Sequence, residues 1–190
     1  MTLGRFFLIV LLVGGGYQYW YWHSHKVHAP AVGVTASMDH EWNAYGHRII
    51  PLQKFDFEAR VLRTERYSMD REAQLAPVDL TLGWGPMADP AVVSQVSITQ
   101  SNRFYYWHVN EFPIPRREIE VNSANMHMVP ANADVERVLK SVRSGQHVTF
   151  SGYLIEVRAP DGWRWKSSLS REDTGAGACE LVWVERISAN

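Results

Sequence analysis

Cysteine is nearly absent: Cys179 is the only one in 190 residues, so no intrachain disulfide can staple the fold, and the chain is compatible with either redox compartment. An excess of charge is also missing. Nineteen Lys and Arg face twenty Asp and Glu, for a formal net charge of -1, so no strong overall field draws in nucleic acid or acidic lipid. There is no internal repeat, no low-complexity tract and no second membrane-length apolar run. The one glycine-rich loop, Thr174-Gly175-Ala176-Gly177, lacks the lysine and the helix with which a P-loop cradles phosphate.

What is abundant is aromatic: eight Trp, eight Tyr and seven Phe. Such residues suit a β-rich core, and where exposed they suit a groove for a ligand or partner. Arg5 precedes an apolar run, and the aromatic cluster Tyr17-Gln18-Tyr19-Trp20-Tyr21-Trp22 closes it. That order reads as one N-terminal transmembrane helix with an interfacial belt, N-terminus inside, the run being at the short end of what spans a bilayer. Gly14, Gly15 and Gly16 suit close packing against another helix in lipid. Ala29-Pro30-Ala31 has the form of a signal-peptide cleavage site but lies well beyond the apolar run, which favours an uncleaved anchor. Residues 1–22 are thus the cytoplasmic start and anchor, 23–54 a juxtamembrane linker and 55–190 the folded domain. The linker carries His23, His25, His28, His40 and His47, whose spacing matches no closed ligand set, so no metal is expected.

The folded part is organised around Asn132 to Val157. Val135, Val138, Leu139 and Val142 have the spacing of one buried helix face, with Asn132 or Asp134 as cap and Ser144-Gly145 as stop. Pro130 disfavours helix at Val129, so the helix starts near Ala133. From Val148 the period becomes two, as in a strand. Before this pivot, Phe55 to Tyr67 and Asp79 to Trp84 read as strands. Asp89-Pro90 reads as a helix start, and Ser97 to Val109 as one strand. Ile119 to Val121 opens a further strand that runs into the polar stretch Asn122 to Asn132. After the pivot, Pro160-Asp161-Gly162 makes a hairpin turn, Trp163 to Ser170 returns, and Cys179 to Ile187 closes the domain. The expectation is a mainly β domain with a short helix (α+β), nearest to an OB-like small barrel, whose helix falls between the third and fourth strands.

Chemistry is sparse. Ser123-Ala124-Asn125-Met126-His127 would sit at the mouth of the helix, where free N–H groups bind anions. His127 would act as general acid or base, with Ser123 and Asn125 orienting a ligand. Arg103, Arg171, Asp173 and Asp79 are the candidate ligand contacts. Cys179 with His127 would be a minimal nucleophile and base, though no spacing demands it.

The stretches Ser123 to Asn132, Ser151 to Val157 and Trp165 to Glu185 carry a resemblance: together they are similar to a family of uncharacterised, membrane-anchored bacterial proteins of proteobacterial type. The resemblance covers about Phe55 to Ile187 and implies a bacterial inner-membrane setting, but no catalytic residue. The expected function is a single-pass binding or assembly module, its domain in the periplasm, docking to another envelope protein. The alternative is a hydrolase or lyase acting on a small anionic substrate through His127. No cofactor and no nucleic acid are expected.

Overall fold

In a computed structural model of the chain, residues 40–170 and 178–190 are described here. The expected membrane segment, most of the linker, Arg171 and Asp173 lie outside them. The fold is mainly β with few, short helices.

Strand β1 (Trp42–Ala44) turns through Tyr45-Gly46 into β2 (His47–Arg66), so strand structure begins inside the stretch expected to be linker. Helix α1 (Arg71–Leu75), capped by Asp70, leads to β3 (Val78–Gly83). Asp89 caps α2 (Pro90–Val93), as its Asp-Pro pair predicts. A separate two-stranded ribbon follows, β4 (Ser97–Ser101) and β5 (Phe104–His108). Then come α3 (Arg116–Val121), β6 (Ser123–Pro130), α4 (Ala133–Ser141), β7 (His147–Arg158), β8 (Arg164–Lys166) and β9 (Glu180–Ala189).

Pairing runs β2–β3, β3–β6, β6–β9 and β9–β7, and β7 pairs again with β2. All are antiparallel except β6–β9. Inside this circuit lies the main core, including Phe55, Phe57, Val61, Leu80, Leu82, Met126, Met128, Phe150 and Val184. Helix α4 covers it with Val135 and Leu139, while Asn132 accepts from the Asp134 and Val135 amides as the cap.

A bulge in β2 between Pro51 and Gln53 changes its phase against β7. Ile49 therefore joins an outer cluster with Ile155, Val157, Leu181 and Trp183, whereas Phe55 to Val61 face the main core. A third cluster, with Leu62, Met87, Val92, Ile98 and Ile119, lies under the ribbon.

Three local expectations are corrected. Residues 97–109 are a hairpin rather than one strand, because Asn102 and Arg103 both take positive φ, 51° and 70°, the geometry of a two-residue turn that matches strand twist. Arg116–Val121 is helix rather than a strand start: it follows Pro115, and Arg116 pairs with Glu120 one turn on. Ser123 to His127 form part of β6 rather than a loop at a helix mouth. The N-terminus of α4 is closed by Asn132, well beyond His127, so this stretch supplies no helix-end anion site.

The Pro160-Asp161-Gly162 turn does join β7 to a short β8. There Glu156 Oε1 accepts from Arg158 Nε at 2.6 Å and from Arg164 Nη2 at 2.6 Å. The Arg158 hydrogen bond, opposed by burial and joined by Arg164, holds the Glu156 carboxyl below the ordinary glutamate range. A depressed folded pKa stabilises the protein above the ordinary range and loses that contribution as pH falls through the depressed value. Glu156→Gln is accordingly expected to lower the urea midpoint at pH ~7, with the deficit shrinking as pH falls below the ordinary glutamate range and through the depressed value. A deficit equally large in acid would mean that lost packing, not charge, is its cause.

Candidate functional site

Alternation in β3 and β6 produces a polar stripe on the outer side of the main sheet. Val78, Leu80 and Leu82 turn to the core, leaving Asp79, Thr81 and Gly83 outside; Met126 and Met128 turn inward, leaving Ser123, Asn125 and His127 outside. Register then sets Asp79 opposite His127, Thr81 opposite Asn125 and Gly83 opposite Ser123. A polar row at this depth must find partners or cost several kcal/mol.

The ribbon supplies the main partner. Arg103, at the tip of the β4–β5 turn, reaches Asp79 Oδ1 with Nη1 at 2.9 Å and Asp70 Oδ1 with Nη2 at 3.0 Å. The same Nη1 donates to the Ala76 carbonyl at 2.8 Å, and the guanidinium stacks 3.7 Å from the Tyr67 ring centre. Asp79 is fully buried. Its Oδ2 accepts from Asn125 Nδ2 at 3.2 Å, and that amide also donates to the Arg103 carbonyl at 2.9 Å. Asn125 Oδ1 accepts from Gln100 Nε2 at 2.6 Å and from Thr81 Oγ1 at 3.3 Å. His127 Nδ1 lies 2.9 Å from Asp79 Oδ2 but off the line of a hydrogen bond, with its ring packed 4.9 Å from that of Trp165.

The sequence-predicted residues Asp79, Asn125, His127 and Arg103 thus converge on one network, and Ser123 extends the same stripe. As a catalytic trio they are poorly placed. Alternate residues on one strand are ~7 Å apart and residues four apart ~13 Å, so neither Asn125 nor Ser123 shares a proton with His127. His127 is buried, and Ser123 Oγ donates to the Ile119 carbonyl at 2.7 Å. The network acts chemically as a clasp: a buried carboxylate and an amide on the sheet grip an arginine and a backbone carbonyl on the ribbon.

Beyond the clasp, the ribbon overhangs an open cleft of about 610 Å³. Tyr105, Trp107, Phe112 and Arg116 line it together with Ser123 and Glu180. Tyr105 Oη lies 3.1 Å from Ser123 Oγ. Burial first, with Glu180, Cys179 and Glu120 adding to it, pushes the Tyr105 phenol above its ordinary pKa, against the Ser123 hydrogen bond. It therefore serves as a hydrogen-bonding phenol rather than a phenolate base. Cys179 Sγ is 3.9 Å from the Arg103 carbonyl, placing the thiol against the ribbon. Among the described residues no three His, Cys, Asp or Glu side chains gather as metal ligands.

Tyr67, Asp70, Tyr105 and Trp165 belong to this region and escaped the sequence reading. The available signal was Asn102 between a polar run and the aromatic run from Phe104, since asparagine tolerates positive φ and marks hairpin turns. No family model, curated protein or solved structure matches the chain, so the likeness to membrane-anchored bacterial proteins rests on its sequence stretches alone.

Proposed function

We propose that this chain is a membrane-anchored binding module that docks to another protein of the bacterial cell envelope through the β4–β5 ribbon. One observation carries the reading. Of the large hydrophobic residues exposed among the described ones, Phe104, Tyr106 and Phe112 gather on β5 and the loop after it, at 38, 54 and 54 % exposure. Clustered aromatics on a fixed support are what dominate protein–protein contacts energetically. The clasp gives that support, holding the ribbon tip to the sheet at Asp79 and Asn125 and to the cap of α1 at Asp70.

The scaffold is best read as an OB-like barrel. The circuit β2–β3–β6–β9–β7–β2, its single parallel pair and the helix between β6 and β7 support that reading. In such barrels the second and third strands and the flanking loops form the binding face; here they are β3 and β6, and the ribbon inserted between them lies over that face. Anchoring, the N-in orientation and a periplasmic domain follow from Arg5 and the apolar run after it. No helix among the described residues is long and apolar enough to cross a membrane.

The test is co-purification of the full chain from native membranes in mild detergent. A stoichiometric envelope protein is expected to elute with the wild type and with Met69→Asp, which alters an exposed apolar residue elsewhere. Tyr106→Asp and Phe112→Asp are expected to lose it about tenfold or more. A lone monomer, or a partner indifferent to both ribbon variants, would overturn the reading.

A further inference from the structure

We infer that the cleft takes an extended segment of the partner protein, which adds as a strand along the outer edge of β5. The inference rests on the binding-module reading and specifies how that module binds. The two-residue turn makes Ser101 and Phe104 the hydrogen-bonded pair next to it. Hydrogen-bonded and non-hydrogen-bonded pairs then alternate, so Tyr106 and His108 bond back to Thr99 and Ser97. The N–H and C=O groups of Tyr105 and Trp107 therefore point away from β4. Among the described residues no strand pairs with that edge.

Both residues line the cleft, as does the whole run from Phe104 to Val109. Across it, β6 offers a second open edge. Its first parallel partnership is Met126 with Glu180, so among the described residues no strand lies on the β9 side of Ser123 to Asn125. An unpaired edge exposed to other chains is an aggregation hazard that folds normally blunt with charge, proline or a covering element. β5 has no lysine, acid or proline along its length. Its edge instead opens into a walled groove, the arrangement in which a peptide strand gains main-chain hydrogen bonds and side-chain pockets together.

The test uses linear peptides selected from a displayed library against the purified full chain. Hydrogen exchange on the complex is expected to slow at the amides of Tyr105 and Trp107, and to change little at Tyr106 and His108, which already bond within the ribbon. Trp107→Pro removes an outward N–H without costing a ribbon bond, since proline is tolerated at such edge positions, and Trp107→Val removes the indole while keeping that N–H. Binding is expected to fall about tenfold further in the proline variant than in the valine variant. Equal loss in the two variants, or binding with no alternation in protection, would overturn strand addition while leaving the docking reading intact. Failure of both peptide selection and co-purification would overturn both. Protection of the same amides without peptide, with a doubled mass, would replace the partner by a second copy of this chain.

Discussion

Arg103→Ala is expected to cost the folded protein ~3–5 kcal/mol, the usual penalty for removing one partner of a buried ion pair. Asp79 is fully buried and the Arg103 side chain is only 14 % exposed, so water does not replace the lost guanidinium as it does at a surface pair. The truncation also deprives the Ala76 carbonyl of a donor and removes the stack on Tyr67. The positive-φ turn neither adds to the loss nor offsets it, because alanine is strained there as arginine is. Arg103→Lys keeps the charge but not the planar fork that spans Asp79 and Asp70, so it should recover only part of the stability. Asp79→Asn combined with Arg103→Ala should be less damaging than the sum of the two single changes, since neither buried charge is then left alone. Urea unfolding of the wild type and these four variants checks this. A loss below ~1 kcal/mol for Arg103→Ala would mean that the clasp contributes no more than a surface pair.

Gly152→Ala is the second large effect, expected to cost ~3 kcal/mol or more. Gly152 stands in β7 opposite Phe55 of β2 and Val184 of β9, at a register shift in the β7–β9 ladder. A Cβ built there would lie 1.8 Å from the Trp183 carbonyl oxygen and 2.9 Å from its carbon. The obstacle is backbone, which no side-chain rotation clears, so β9 must move away from β7 and disturb the strand carrying Val182 and Val184 into the main core. Gly46→Ala is the matched control. Its φ is +72° with nothing within 4 Å of the new Cβ, so only backbone strain of ~1 kcal/mol is added. Unfolding midpoints that fall equally in the two variants would show that β7 and β9 do not approach this closely at Gly152.

The two effects differ in how far the sequence announces them. Gly152 interrupts an alternating run from Val148 to Leu154, and a glycine inside a strand pattern already signals a bulge or a close backbone approach. Arg103 gives no such warning. Arginine is an unusual occupant of a positive-φ turn position, and the aromatic run from Phe104 to Trp107 suits a strand whether or not a turn precedes it. Arg103 meets Asp79, 24 residues back along the chain, and no local rule encodes that meeting. Likewise, Arg116–Val121 holds only Ile119 as a buried residue, too little periodicity to separate a short helix from a strand.

By itself the sequence determined the elements whose signals are local. These are the helix of Val135 and Leu139 with its Asn132 cap, the Asp89-Pro90 start, the Pro160-Asp161-Gly162 turn and the alternation that makes Phe55 to Val61 a strand. Each follows from backbone geometry and side-chain period within a few residues. Tertiary structure alone decided that Asp79, Asn125 and His127 face one another across two strands and receive an arginine from a third element. It also decided that Phe104, Tyr106 and Phe112 stand out beside a cleft while Trp84 and Phe150 are buried. Strand register and the docking of the ribbon set these placements, and both are non-local: the same alternating residues make a core, a clasp or a contact surface according to what lies opposite them.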